Sequence, residues 1–387
     1  MNTQTPEITK AEVEKALSIC TEQILGILPE FTDKFPTAAS LNLFYDKTDN
    51  LGWTNGFWTG EIWLAYEFCK DERLKKAALV QCDSFYERIV RKIAVESHDM
   101  GFLYTLSCVA AYKLTENEKT REAALLAAKQ LIRMYREKGE FIQSLNQPDC
   151  QEENRTIVDC LMNLPILYWA SQETGDSIYY DIALKHFLTS EKLLMREDGA
   201  TAQAAMFDVT TGTHLYNFTR QGYSDDSAWS RGQAWAIYGP AITYRYTKCE
   251  KAVGMFRRAV DYFFAHLPED LVPYFDLRIT EGTDWPRDAS AGAIAACGML
   301  EMAKYLEKEE AAYYVSWAKR LLKALYDNCQ VLDFEHSNGL LLHSTYCCMT
   351  PYNRMDRDIG KDECCLFGDY FYLEGMMRLY KEWDMYW

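Results

Sequence analysis

The stretch TIVDCLMNLPILYWASQE, residues 156–173, is apolar on nearly every side of a helical wheel and carries one aspartate, Asp159, near its start. A helix that is apolar all round has to be buried. Its neighbours are patterned differently. NEKTREAALLAAKQLIRMYREK (117–138) and DSIYYDIALKHFLTSEKLLMRE (176–197) put apolar residues at i, i+3, i+4 and i+7 and charges on the other face. That period marks a helix with one side in water.

The alternation continues in both directions. Four more stretches have a charged face: 8–28, 71–93, 249–267 and 309–328. Five more are apolar and poor in charge: 57–69, 101–114, 228–246, 289–306 and 367–383. No strongly alternating strand and no Pro/Gly/Ser-rich linker interrupts them. A long loop over 198–226 is expected to hold a short hairpin around FDVTTGTHLYNF (207–218). Six helical hairpins, each with one helix inside and one outside, predict an all-α fold, an (α/α)6 barrel. It would form a single domain over 1–387. Parallel inner helices would gather their N-termini at one mouth. An open helical solenoid competes, but the spacing is too irregular for identical repeats.

Composition narrows the function. The net charge of −16 argues against nucleic acid and anionic membrane surfaces as partners. No apolar window reaches the length of a membrane span, and the polar start MNTQTPEITK does not read as a signal peptide. Thirteen scattered cysteines suit reduced thiols in a cytoplasmic protein. The pairs Cys347–Cys348 and Cys364–Cys365 fit no zinc spacing, so no metal and no cofactor is expected. The sequence sets no oligomeric state. Aromatics at 14%, with 26 Tyr and 10 Trp, suit a large core and also a site that stacks flat ligands.

The chemistry collects where the inner helices open. The segments are GWTNGFWTGE (52–61), SHDMGF (97–102), NRTIVDC (154–160), QGYSDDSAWSRGQAW (221–235), DWPRDASAGA (284–293) and LFGDYFYLE (366–374). Five of the six carry Asp, and parallel inner helices would aim their positive dipole ends into the cluster. Each residue also has a plain structural reading. Asp99 or Ser97 could cap a helix. Asp159 could be a buried partner of Arg155. Arg231 could be a core ion pair or an anion clamp. Trp53, Phe57, Trp58, Trp229 and Trp235 could fill the barrel, and His98 could be a satisfied hydrogen-bonder. Together, two aspartates, an arginine, a histidine and aromatic walls suit a carbohydrate site.

At these residues the chain resembles the unsaturated glucuronyl hydrolases of glycoside hydrolase family 88. The matching stretches are GWTNGFWTGE, ESHDMGFLY, NRTIVDCLMNLPILYWAS, QGYSDDSAWSRGQAWAIYG, WPRDASAGAIAACGMLE and FGDYFYLEGMMRL, from about residue 50 to 380. The resemblance implies an (α/α)6 barrel acting on unsaturated uronyl oligosaccharides left by polysaccharide lyases. It implies hydration of the C4=C5 vinyl ether, with Asp159 as general acid/base and Asp99 as second essential carboxylate. Trp53, Phe57, His98, Gln221, Trp229 and Arg231 match positions that line the family's site, and Arg231 best suits the uronate carboxylate. Two positions depart from the family pattern. Gln203 and Arg220 stand where it usually has histidines, which puts substrate preference in doubt. The related family 105, acting on unsaturated rhamnogalacturonyl substrates, is the nearest alternative; a non-catalytic sugar-binding barrel is the other. The basic residues Arg354, Arg357 and Lys361 could meet a sulfate or second uronate, or could be a solvated loop.

Overall fold

A computed structural model describes residues 5–280 and 282–387; the start MNTQ lies outside them. The helices are α1 (Lys10–Ile27), α2 (Asn55–Cys69), α3 (Glu72–Val90), α4 (Met100–Tyr104), α5 (Ala110–Thr115), α6 (Glu118–Ile132) and α7 (Pro165–Thr174). They continue with α8 (Ser177–Leu194), α9 (Ser230–Thr247), α10 (Glu250–Ala265), α11 (Ala289–Met302), α12 (Lys308–Asn328) and α13 (Leu366–Tyr380). A π-helical turn, Thr105–Val109, joins α4 and α5 into one bent rod.

The amphipathic set α1, α3, α6, α8, α10 and α12 lies outside. In α3 the buried positions Leu74, Ala77, Ala78, Gln81, Cys82 and Phe85 follow helical spacing. The inner set is α2, α4/α5, α7, α9, α11 and α13. Every residue of α11 is buried. α13 packs against both α11 and α2, which closes the ring. The double-ring barrel read from the alternation is therefore the fold.

The two ends of the barrel differ, and the turns explain why. Inner helices α2, α5, α7 and α9 pass to outer ones within two residues. Lys70, Glu116, Gly175 and Lys248 take left-handed conformations, with φ of 58°, 55°, 73° and 54°. The next residue starts the outer helix, and Asp71, Asn117 and Asp176 cap it through their side chains. The return connections are long: 28–54, 91–99, 133–157, 195–229, 266–288 and 329–365. All six lie at the end where the inner helices begin. Among the described residues, none of the inner helices has a side-chain hydrogen bond at its N-cap.

One stretch differs from its sequence reading. Residues 156–173 are not one helix. Strand Arg155–Ile157 runs into a 3₁₀ turn, Val158–Met162, and α7 starts only at Pro165. Proline lacks an N–H and fits the first helical turn, not the interior. The three-residue strand pairs with Ala204–Phe207, which pairs in turn with His214–Phe218, all antiparallel. The hairpin expected near 207–218 is present, and the first strand extends it into a sheet across the mouth.

Two contacts hold neighbouring inner segments together. A Cβ on Gly101 would sit 2.4 Å from Asn163 Cα, so only glycine allows that approach. Asn163 then accepts the Phe102 N–H at 2.8 Å through Oδ1 and donates to the Asp159 carbonyl at 3.3 Å.

Candidate active site

Trp53 precedes α2 at the mouth. Its indole N–H donates to the Tyr346 hydroxyl at 2.9 Å, and its ring stacks on Phe367 at 5.9 Å and 15°. Arg231, in the first turn of α9, is fully buried. Its guanidinium is sandwiched between the rings of Trp229 and Phe367, at 4.4 and 4.2 Å. Nη1 donates to Asp288 Oδ2 at 2.8 Å and to the Thr345 carbonyl at 2.6 Å; Nη2 donates to the Tyr346 carbonyl at 2.6 Å.

Beside this stack lies a cavity of about 130 Å³, lined by Trp53, His98, Asp99, Asp159, Gln221, Arg231 and Tyr346. Drug-sized ligand pockets measure about 300–1,000 Å³, so this one fits the end of a ligand and leaves the rest outside.

Asp99 occupies the N-cap position of α4 but makes no cap bond. Its Oδ2 accepts from Ser97 Oγ, and its Oδ1 lies 3.5 Å from His98 Nε2. Asp159 is half-buried in the wall, and its Oδ1 is out of contact with solvent and has no protein partner. Arg155 is not that partner: it pairs with Glu153 at 2.6 Å and donates to the Glu152 carbonyl. Burial pushes the Asp159 carboxyl up to about 6, His98 and Arg231 pull it down, and the charge of Asp99 pushes it up again. Desolvation dominating nearby cations is the arrangement that keeps an acid protonated near neutral pH.

The ten sequence-selected residues thus divide by place. Trp53, His98, Asp99, Asp159, Gln221 and Arg231 meet at the cavity. Phe57 does not line it. It is fully buried and packs edge-on behind Trp53, ring centroids 6.0 Å apart. Trp229 is likewise 2% exposed, its face taken by Arg231. Gln203 is buried one layer back. Its Oε1 accepts from Thr219 Oγ1 and the backbone N–H groups of Arg220 and Gln221, and its Nε2 donates to Gln221 Oε1 at 2.8 Å. Arg220 is exposed on the adjoining loop.

The other helix-opening acids point elsewhere. Asp369 is buried against Tyr45 OH, at 2.8 Å, and the Leu341 N–H. Asp225 pairs with Arg354 and Asp226 with Arg278. Lys361 pairs with Asp358, so two of the three basic residues in the 354–361 loop face acids of this chain. Asp288 and Tyr346 were not singled out by sequence. Asp288 looked like one more helix-opening acid, and no periodicity marks Tyr346. Among the described residues, no three His, Cys, Asp or Glu side chains are grouped to hold a metal ion, and no helix is long and apolar enough to cross a membrane.

A profile of Glycosyl Hydrolase Family 88 matches residues 26–278. The chain belongs to this family. It is a glycoside hydrolase of the unsaturated glucuronyl type. It is 42% identical over 386 residues to the unsaturated chondroitin disaccharide hydrolase of Streptococcus pneumoniae (strain ATCC BAA-255 / R6), covering 99% of this chain and 96% of that one. It is 36% identical over 363 residues to the unsaturated glucuronyl hydrolase of Bacillus sp. (strain GL1), covering 93% and 94%. Crystal structures agree. The unsaturated glucuronyl hydrolase from Streptococcus agalactiae superposes with a TM-score of 0.95 at 40% identity, covering 100% of this chain and 96% of that one. A substituted form of that enzyme, complexed with dGlcA-GalNAc6S, superposes at 0.87 with 38% identity, covering 100% and 96%.

Proposed function

We propose that this family 88 hydrolase removes the 4,5-unsaturated uronic acid from the non-reducing end of lyase-made glycosaminoglycan disaccharides. The observation that carries the reading is Asp159: a carboxyl pushed up to about 6, in a cavity that admits one end of a ligand. Protonated Asp159 gives its proton to C4 of the vinyl ether, leaving positive charge at C5 and the ring oxygen. Water adds to C5 and returns its proton to the Asp159 carboxylate. The resulting hemiketal opens, breaks the link to the next sugar and frees it. One carboxyl serves as acid and then base because the proton it gives to C4 is replaced by one from the attacking water.

Asp99 lines the cavity with Asp159 and takes ring hydroxyls. Trp53 offers the stacking face, and Gln221 and His98 offer hydrogen bonds. Arg231 acts chiefly through its field, since Asp288 and two carbonyls already take three of its N–H groups. Arg220, exposed beside Gln221, suits contact with the second sugar, and Gln203 holds Gln221 in place. A cytoplasmic setting fits thirteen free thiols, and one catalytic domain over the whole chain fits the apolar cluster that runs from Ile8 to Trp387.

Loss of the ultraviolet absorbance of the conjugated enoate tests the reading, across sulfated and unsulfated disaccharides. Unchanged absorbance with hyaluronan, chondroitin and heparin products sinks it. Asp159→Asn should bind disaccharide without turnover.

A further inference from the structure

We propose that Ser97 is a positioning residue for this hydrolysis, fixing the Asp99 carboxylate opposite Asp159. The proposal rests on the functional reading above. Ser97 does not line the cavity. Its Oγ donates to Asp99 Oδ2 and accepts the Asp99 backbone N–H at 3.3 Å. The hydroxyl has one proton, and the incoming N–H directs that proton to the carboxylate.

The serine is itself held. Its backbone bridges Leu145, and the His98 N–H donates to the Ser144 carbonyl at 3.0 Å. Asp99 in turn leaves the N-terminus of α4 uncapped. The local structure therefore gives up a cap bond and aims the carboxylate at the cavity.

The charged groups around the pair cannot take over. Arg88 of α3 lies within range of Asp99, but its guanidinium already donates to Asn50 Oδ1 and to the Gly52 and Ala94 carbonyls at 2.8 to 2.9 Å. Arg231 is committed to Asp288. His98 Nε2 stands at 3.5 Å, and Cys160 and Tyr346 add only weak acids that burial keeps neutral. Removing Ser97 Oγ removes the closest donor to the Asp99 carboxylate and leaves it free to rotate out of place.

The test compares kcat and KM for wild type, Ser97→Ala, Ser97→Thr and Ser97→Cys on unsaturated chondroitin disaccharide. Wild type must turn over; if it does not, the functional reading fails before the variants are compared. Ser97→Ala should lower kcat/KM by about tenfold. Its loss should fall on kcat, with KM within about threefold. Ser97→Thr keeps the hydroxyl and should restore kcat. Ser97→Cys, a weaker donor of similar size, should fall between, and serves if the alanine variant unfolds. A wild-type kcat in Ala or Cys overturns the proposal, as does a threonine variant as slow as alanine.

Discussion

Asn163 Oδ1 accepts the Phe102 N–H at 2.8 Å, across 61 residues of sequence. The same side chain donates to the carbonyl of Asp159. One amide therefore spaces the turn carrying Asp159 from the helix start carrying Asp99. Asn163→Ala leaves a buried N–H unpaired and should cost about 1–3 kcal/mol, with a larger loss in kcat than in KM. Gly101→Ala should be worse, because its Cβ would meet Asn163 Cα at 2.4 Å. Urea denaturation and steady-state kinetics check both. An unaffected Gly101→Ala would contradict the close approach.

Asp159 makes the fold less stable at working pH. Its carboxyl is pushed from an ordinary 3.8 up to about 6. The folded state holds that proton more tightly than the unfolded chain. Its contribution is fully present below about pH 4, falls as pH rises toward 6, and is flat above. Asp159→Asn removes this slope. It should match wild-type stability near pH 4 and exceed it near pH 8 by roughly 2–3 kcal/mol, while being inactive. Equal or lower stability at both pH values would show that the carboxylate is well solvated.

The Arg231–Asp288 pair is buried on both sides, at 1% and 0% side-chain exposure. Asp288→Ala strands a buried cation and should cost about 3–5 kcal/mol. Asp288→Asn keeps the shape and leaves Arg231 without its counter-charge. More positive field on Asp159 favours its ionised form. The high-pH limb of kcat/KM should then move to lower pH, and a move the other way would refute the electrostatic account.

Gln203 Oε1 takes three donors from residues 219–221. Gln203→Leu should raise KM for the disaccharide by about tenfold with a smaller change in kcat, since it frees Gln221 and not the acid. Gln203→His, the residue usual in the family, should retain much of the affinity. Equal KM in all three proteins would remove Gln203 from the positioning of Gln221.

The closed end of the barrel offers a stability test. Lys70 and Lys248 end inner helices in left-handed conformations at φ 58° and 54°, strained by about 1 kcal/mol each relative to glycine. Lys70→Gly and Lys248→Gly should each stabilise by about 0.5–1 kcal/mol and add in the double variant, being far apart. Thermal unfolding checks this, and activity should not change.

Hydrophobic period determined the two classes of helix. Apolar-all-round stretches must be buried and one-faced ones must not, so the alternation predicted an inner and an outer set, and the packing of α13 against α2 chose the closed ring over an open solenoid. The period also predicted Asp99 and Asp159 at one mouth, because parallel inner helices put their starts together. Tertiary structure decided which of the mouth residues face the cavity. A side chain's direction depends on local backbone, and Pro165 turned the expected helix at Asp159 into a strand and a 3₁₀ turn. Asp369, Asp225 and Asp288 open or precede inner helices as Asp99 does, yet partners from distant loops draw them away. Tyr346 reaches the site from a loop with no periodicity to announce it. Burial is written in the composition of each segment, whereas pairing depends on which segments the closed ring brings side by side.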